Sequence, residues 1–216
     1  MKYFRAQNPT SDHNTLSNAD IINVLSDIKH RIFPRPFERL AFPPPPNTHR
    51  PLVGCEIGVC GGEHSLSLLQ NLDISKLYLI DPYEIYSDYK EGNKIYGSDQ
   101  LELGATFESA QKLLSDYSDR IVWIHAYSSQ AHCFIQEPLD FVYVDGNHQY
   151  EYVSADIQKY FPLIKSGGIM GGHDFYNGYQ HDHDGVINGV IEFYLENRDM
   201  LSQLRVELPD WWFTKV

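Results

Sequence analysis

Five short stretches of this chain carry side chains that can do chemistry. Asp145-Gly146-Asn147-His148 and His173-Asp174 bring carboxylates together with imidazoles. An imidazole titrates near neutral pH, so His148 is the candidate general base for taking a proton from a hydroxyl. A helix-start histidine bonded to backbone is the alternative for that residue. Glu56 stands just before the turn Gly58-Val59-Cys60-Gly61-Gly62. A carboxylate at the inner end of a buried strand is costly without a partner, and a cationic ligand group such as an amino-acid ammonium would supply one. Asp81 follows twenty-five residues after Glu56, where an acid can accept both hydroxyls of a ribose. A turn or cap aspartate before Pro82 would look the same. His181-Asp182-His183-Asp184 alternates metal-ligand types, but adjacent loop residues point different ways, and the segment reads as a solvated loop near a pocket mouth.

An alternation of strands and helices must position these groups. Leu52–Ile57, Leu77–Ile80, Ile121–His125, Phe141–Val144 and Ile169–Gly172 are short apolar runs bounded by turn residues. Ser65–Asn71, Leu101–Tyr117, Tyr150–Ile164 and Val186–Arg198 read as the helices between and after them. The pattern predicts an α/β fold, a Rossmann-like and mostly parallel seven-stranded sheet with helices on both faces. Gln203–Glu207 and Trp211–Thr214, around Leu208-Pro209-Asp210, predict a C-terminal antiparallel hairpin in which Trp211 and Trp212 are packing residues. Ligands of open α/β sheets bind beyond the carboxyl ends of the strands, so the acids and histidines above should converge there. Glycines let that turn approach a ligand closely. The turn departs from G-x-G-x-x-G, which weakens a dinucleotide reading, and no phosphate-cradling lysine follows it, which excludes a P-loop.

Composition narrows the partners. Twenty-nine acids against seventeen bases give a formal charge of −12, a field that disfavours a nucleic-acid substrate and suits a neutral acceptor such as a sugar or phenol. No run reaches the length of a membrane span, and the N-terminus lacks the apolar stretch of a signal peptide. Three cysteines make no paired framework, so the expected setting is a reducing, cytoplasmic one. Residues 1–50 read as a helical cap and arm: Thr15 to Ile32 has near-helical apolar spacing, and Phe42 to Asn47 is a polyproline connector. The catalytic domain is expected over 51–216, and the arm is a candidate for homo-oligomer contacts or for covering the pocket. Tyr83, Tyr86, Tyr89 and Tyr96 suggest a lid or an aromatic acceptor wall, or a loop packed by its own rings.

Four blocks in order, E-I-G-V-C-G-G-E-H-S, L-Y-L-I-D-P-Y, L-D-F-V-Y-V-D-G-N-H-Q-Y-E-Y-V-S-A-D-I and L-I-K-S-G-G-I-M-G-G-H-D-F, resemble class I S-adenosylmethionine-dependent methyltransferases. The likeness runs from about residue 51 to the C-terminus and is closest to the small branch that includes sugar and antibiotic O-methyltransferases. It implies S-adenosylmethionine as cofactor. Glu56, Gly58 and Gly62 would line the methionine part, Asp81 would hold the ribose, Tyr83 would cover the nucleoside and Ser128 would meet the adenine edge. Ser65 and Asp145 are counted with the cofactor residues. Ser128 also suits a helix N-cap. In metal-dependent relatives the position of His148 holds a lysine base, and Asp145, His173 and Asp174 match three metal ligands, for Mg²⁺ or Mn²⁺. His173 departs from the oxygen ligand expected there, and imidazole suits later transition metals better than Mg²⁺. Asn147 stands where antibiotic-sugar relatives place a catalytic aspartate. The implied activity is O-methylation of a small hydroxylated acceptor, a sugar in preference to a catechol or phenol. A nicotinamide oxidoreductase would need a hydride-site pair that is missing, and a non-catalytic nucleoside-binding module would tolerate loss of His148 and Asp174.

Overall fold

Leu52–Ile57 (β1) sets the two faces of the sheet, because strand side chains alternate: Cys55 and Ile57 point one way, Gly54 and Glu56 the other. The computed structural model describes residues 34–42, 50–85, 90–91, 94–95, 99–175 and 184–216. After β1 come α1 (Glu63–Asn71), β2 (Ile74–Ile80), the short strands β3 (Lys90–Glu91) and β4 (Lys94–Ile95), α2 (Gln100–Leu113), β5 (Ile121–Ile124) and α3 (Ser128–Ala131). Then follow β6 (Leu139–Val144), α4 (Tyr150–Tyr160), β7 (Ile164–Gly172), α5 (Asp184–Asn197), β8 (Arg205–Glu207) and β9 (Asp210–Thr214). The main sheet has seven strands in the order β5-β2-β1-β6-β7-β9-β8. The first five are parallel, and β9 runs antiparallel to both β7 and β8. The expected Rossmann-like architecture and its terminal hairpin are both present.

Both faces are covered. On one, Val153, Ile157 and Tyr160 of α4 and Val186, Val190 and Phe193 of α5 pack against Cys55, Ile57, Val142, Val144 and Met170. Each such fully buried apolar side chain contributes roughly 1.5–3 kcal/mol. On the other face lie α1 and a single helical turn, Phe37–Ala41. The Phe37 ring meets Phe141 and Tyr143 edge-on, at centroid separations of 6.0 and 4.9 Å. Gly171 makes room for it, since a Cβ there would lie 2.5 Å from the Phe37 ring. These residues belong to the same compact unit as the sheet, Phe33–Val216.

Several boundaries differ from the sequence reading, for local reasons. The helix expected over Tyr150–Ile164 stops at Tyr160 and tightens into a 3₁₀ turn at Phe161–Leu163, because Pro162 has no N–H to continue it. Strand β7 begins at Ile164 and bulges: Leu139 pairs with Ile164 while Phe141 pairs with Ile169, and residues 165–168 loop out between. Helix α2 ends at Leu113, and Ser115–Arg120 follows as 3₁₀. The expected helix from Thr15 to Ile32, the prolines 43–46, Tyr86, Tyr89, Tyr96 and residues 181–183 lie outside the described residues. Among the described residues no helix is long and apolar enough to cross a membrane.

Candidate active site

The chain leaves β1 through α1 toward β2 and later returns on the opposite side as β6, so a crevice opens at the tips of β1 and β6. A cavity of about 1040 Å³ occupies it. At Gly58 the backbone after β1 runs close against the backbone after β6. The φ of Gly58 is +86°, and a Cβ would lie 2.0 Å from the Asp145 carbonyl oxygen, so only glycine fits. Among the described residues, three that are not glycine, Cys60, Tyr83 and Asp174, have positive φ of 49°, 47° and 57°, and all three line the cavity. Backbone strain of that kind collects at ligand sites.

Asp81 organises the glycine turn. Its Oδ2 accepts from the amides of Val59 and Cys60 at 3.0 and 3.1 Å, and its Oδ1 from that of Tyr83 at 2.9 Å. Tyr83 is buried and donates its hydroxyl to the Cys60 carbonyl at 2.8 Å, while its ring packs 4.9 Å from Phe107. Glu56 is 1% exposed yet lines the cavity. It does not lack protein partners, as the sequence argument supposed: His64 Nδ1 lies 2.7 Å from its Oε1, and Ser65 Oγ donates to Oε2. Ser65 faces Glu56 and not the cavity. Gly62, with φ of +84°, caps α1 beneath Leu114 and also stands off the lining. Ser128 opens α3 and lines the cavity without capping the helix through its side chain.

At the tips of β6 and β7 the remaining candidates converge. His148 Nε2 lies 2.9 Å from Asp174 Oδ2 and 4.0 Å from Asp145 Oδ1. His173 Nδ1 lies 3.1 Å from Asp174 Oδ1 and 3.8 Å from Asp145 Oδ1. Burial works against the Asp174 charge, but hydrogen bonds from both histidines outweigh it and hold the carboxyl well below its ordinary range. For Asp145 burial wins, and its pKa is raised despite Arg35 and His173 nearby.

Three groups in or beside this cleft were not singled out from the sequence. Arg35 Nη1 donates to Asp145 Oδ2 and to the Tyr143 hydroxyl, each at 2.9 Å. His64 and Glu38 form a buried pair behind Glu56, with Nε2 3.5 Å from Oε1. Asp156 is 3% exposed, lines the cavity from α4, and is pushed up to about 7 by burial, which the Ser128 hydroxyl and Lys159 only partly offset. Asp156 had a readable signal: it interrupts the apolar stripe Val153, Ile157 and Tyr160.

A divalent ion has donors here. Asp145, His148 and Asp174 offer ligand atoms within 4.8 Å of one another, and His173 lies beside them. Two carboxylates with imidazole nitrogens suit a cation of the manganese-to-zinc series better than Mg²⁺, which prefers oxygen. Arg35 already bonds one Asp145 oxygen and supplies positive charge at that point.

The fold and this cleft agree with what the chain matches. The family model described as a methyltransferase domain covers residues 55–175, more than half of the chain, and the chain belongs to that family. It is a class I S-adenosylmethionine-dependent methyltransferase. No curated protein matches it by sequence. Among solved structures, an rRNA methylase from Streptococcus thermophilus is similar at 14% identity and TM-score 0.53, over 77% of this chain and 87% of that one. The O-methyltransferase NovP matches at 13% identity and TM-score 0.51, over 77% and 72%. MycE of the mycinamycin pathway, in complex with Mg, S-adenosylhomocysteine and mycinamycin VI, matches at 17% identity and TM-score 0.51, over 77% of this chain and 45% of that one. These likenesses describe the fold.

Proposed function

We infer that the protein transfers the methyl group of S-adenosylmethionine to a hydroxyl of a small acceptor, a sugar in preference to a phenol. The observation that carries this reading is the His148–Asp174 pair, 2.9 Å apart in the lining of the cleft. Methyl transfer is an in-line displacement: the acceptor oxygen bonds to the methyl carbon as the carbon–sulfur bond breaks, and the hydroxyl proton must leave. With Nε2–H given to Asp174, the basic lone pair of a neutral His148 ring sits on Nδ1, and Asp174 stabilises the imidazolium that forms. Glu56 faces the cofactor's ammonium and Asp81 its ribose, with Ser128 at the adenine edge.

Among the described residues lining the cavity, eight are carboxylic acids and only Arg35 is an arginine or lysine. Such a wall repels a polyanion, which favours a small neutral acceptor over RNA despite the rRNA methylase among similar folds. A second reading adds a divalent cation held by Asp145, Asp174 and His173 or His148, favoured by the clustering of those ligand atoms. When bound, it would polarise the acceptor oxygen and lower its pKa. Methyl transfer to sugars, catechols and an rRNA fragment, with and without chelator, tests both readings. The expected result is methylated sugar; methylation of the RNA alone would refute the acceptor class. Activity unaffected by chelator would remove the metal.

A further inference from the structure

The wall of the cofactor cleft rests on a buried chain of three ionisable side chains, and one of them comes from the N-terminal turn. We propose that Glu38 is a positioning residue for the cofactor's ammonium group, acting through His64 on Glu56. The inference rests on the reading of Glu56 as that ammonium's partner.

Glu56, His64 and Glu38 are 1%, 6% and 5% exposed. His64 lies between the two acids, with Nδ1 2.7 Å from Glu56 Oε1 and Nε2 3.5 Å from Glu38 Oε1. The longer contact is an ion pair, not a hydrogen bond. Burial alone would lower the imidazole pKa, but the two carboxylates outweigh it and take it up to about 9. Set between two buried carboxylates, one on each ring nitrogen, His64 is held in its cationic form. An imidazolium paired with Glu56 alone would cancel its charge, and an arriving ammonium would meet a neutral pair. Glu38 leaves the triad with one net negative charge, and of its three members only Glu56 and His64 line the cavity.

The rest of Glu38's surroundings is poor support for a purely structural carboxylate. Ser67 Oγ donates to Oε1 at 2.6 Å, while Oε2 is buried without a hydrogen-bond partner among the described residues, an arrangement that destabilises the fold. The turn is nonetheless fixed on both sides of the triad. The Phe37 amide donates to Asp210 Oδ2 at 2.9 Å, and Arg35 bonds Asp145 and Tyr143. The Tyr143 ring lies 4.1 Å from the His64 ring, so one segment supports the acceptor end and the ammonium end of the cleft together.

Calorimetry with two ligands isolates the effect. S-adenosylhomocysteine carries the ammonium; 5′-methylthioadenosine keeps the nucleoside and thioether but lacks the amino-acid part. Glu38→Gln, and Glu38→Met as a second neutral replacement, should weaken the first about 5- to 10-fold and leave the second unchanged. Glu38→Asp, which keeps the charge, should restore most of the affinity ratio. If Glu56→Gln lowers that ratio and neither neutral Glu38 variant does, the proposal is overturned while the reading of Glu56 stands. If Glu56→Gln leaves the ratio unchanged, that reading fails and the proposal fails with it. Equal weakening of both ligands by the Glu38 variants would make Glu38 structural only.

Discussion

His64 gives the site a pH signature that stability measurements can read. Folding raises its pKa from 6.5 to about 9, because two buried carboxylates outweigh the effect of burial itself. The folded protein thus holds the proton more tightly than the unfolded chain. The resulting stability is fully present below pH 6.5, declines between pH 6.5 and about 9, and is gone above that. The size over that window is about 3 kcal/mol, at about 1.4 kcal/mol per pH unit. Urea unfolding of the protein and of His64→Gln, across the same pH series, isolates the contribution. The difference between the two stability curves should shrink by about that amount as pH rises. Asp156 also loses stability with rising pH, but its window runs from 3.8 to about 7, and it cancels in the subtraction. Curves that stay parallel through the His64 window would refute the buried imidazolium.

Other perturbations separate the parts of the cleft. His148→Ala should leave S-adenosylhomocysteine affinity unchanged and slow turnover by about 10²- to 10⁴-fold, measured as methyl transfer under saturating cofactor. Arg35→Ala removes the cation from Asp145 and should reduce turnover about tenfold or more, with a smaller effect on cofactor affinity, as separate kcat and binding measurements would report. Gly58→Ala forces a side chain into the Asp145 carbonyl at positive φ; a loss of about 3 kcal/mol or more in chemical denaturation is expected, together with loss of cofactor binding. Asp156→Asn should flatten the decline in stability between pH 3.8 and about 7, because the buried carboxyl no longer has to ionise.

The sheet was legible because strand and helix periods differ and the turn residues between them are distinct. Glu56, Asp81, Asp145, His148, His173 and Asp174 could be placed at one end for a simple reason: each follows or ends an apolar strand. Partnership was harder to read. Nothing in the spacing of Gly61-Gly62-Glu63-His64-Ser65 says that His64 and Ser65 turn back onto Glu56, since that depends on the left-handed Gly62 starting α1. Arg35 and Glu38 lie 21 and 18 residues before Glu56, where the first domain motif begins, between prolines that read as the end of an arm. They reach the site because Phe37 fills the space that Gly171 leaves on β7, a long-range packing fit invisible to local pattern. Pro162 could have ended α4 correctly; the apolar run through Leu163 and Ile164 masked it.

The most direct test of the account is a crystal structure of the protein with S-adenosylhomocysteine. The expected complex has the ribose hydroxyls within hydrogen-bonding distance of Asp81 and the ammonium beside Glu56, with the thioether sulfur facing His148 and Asp174. A ligand seated elsewhere, or seated in the cleft with both acids turned from it, would contradict the account.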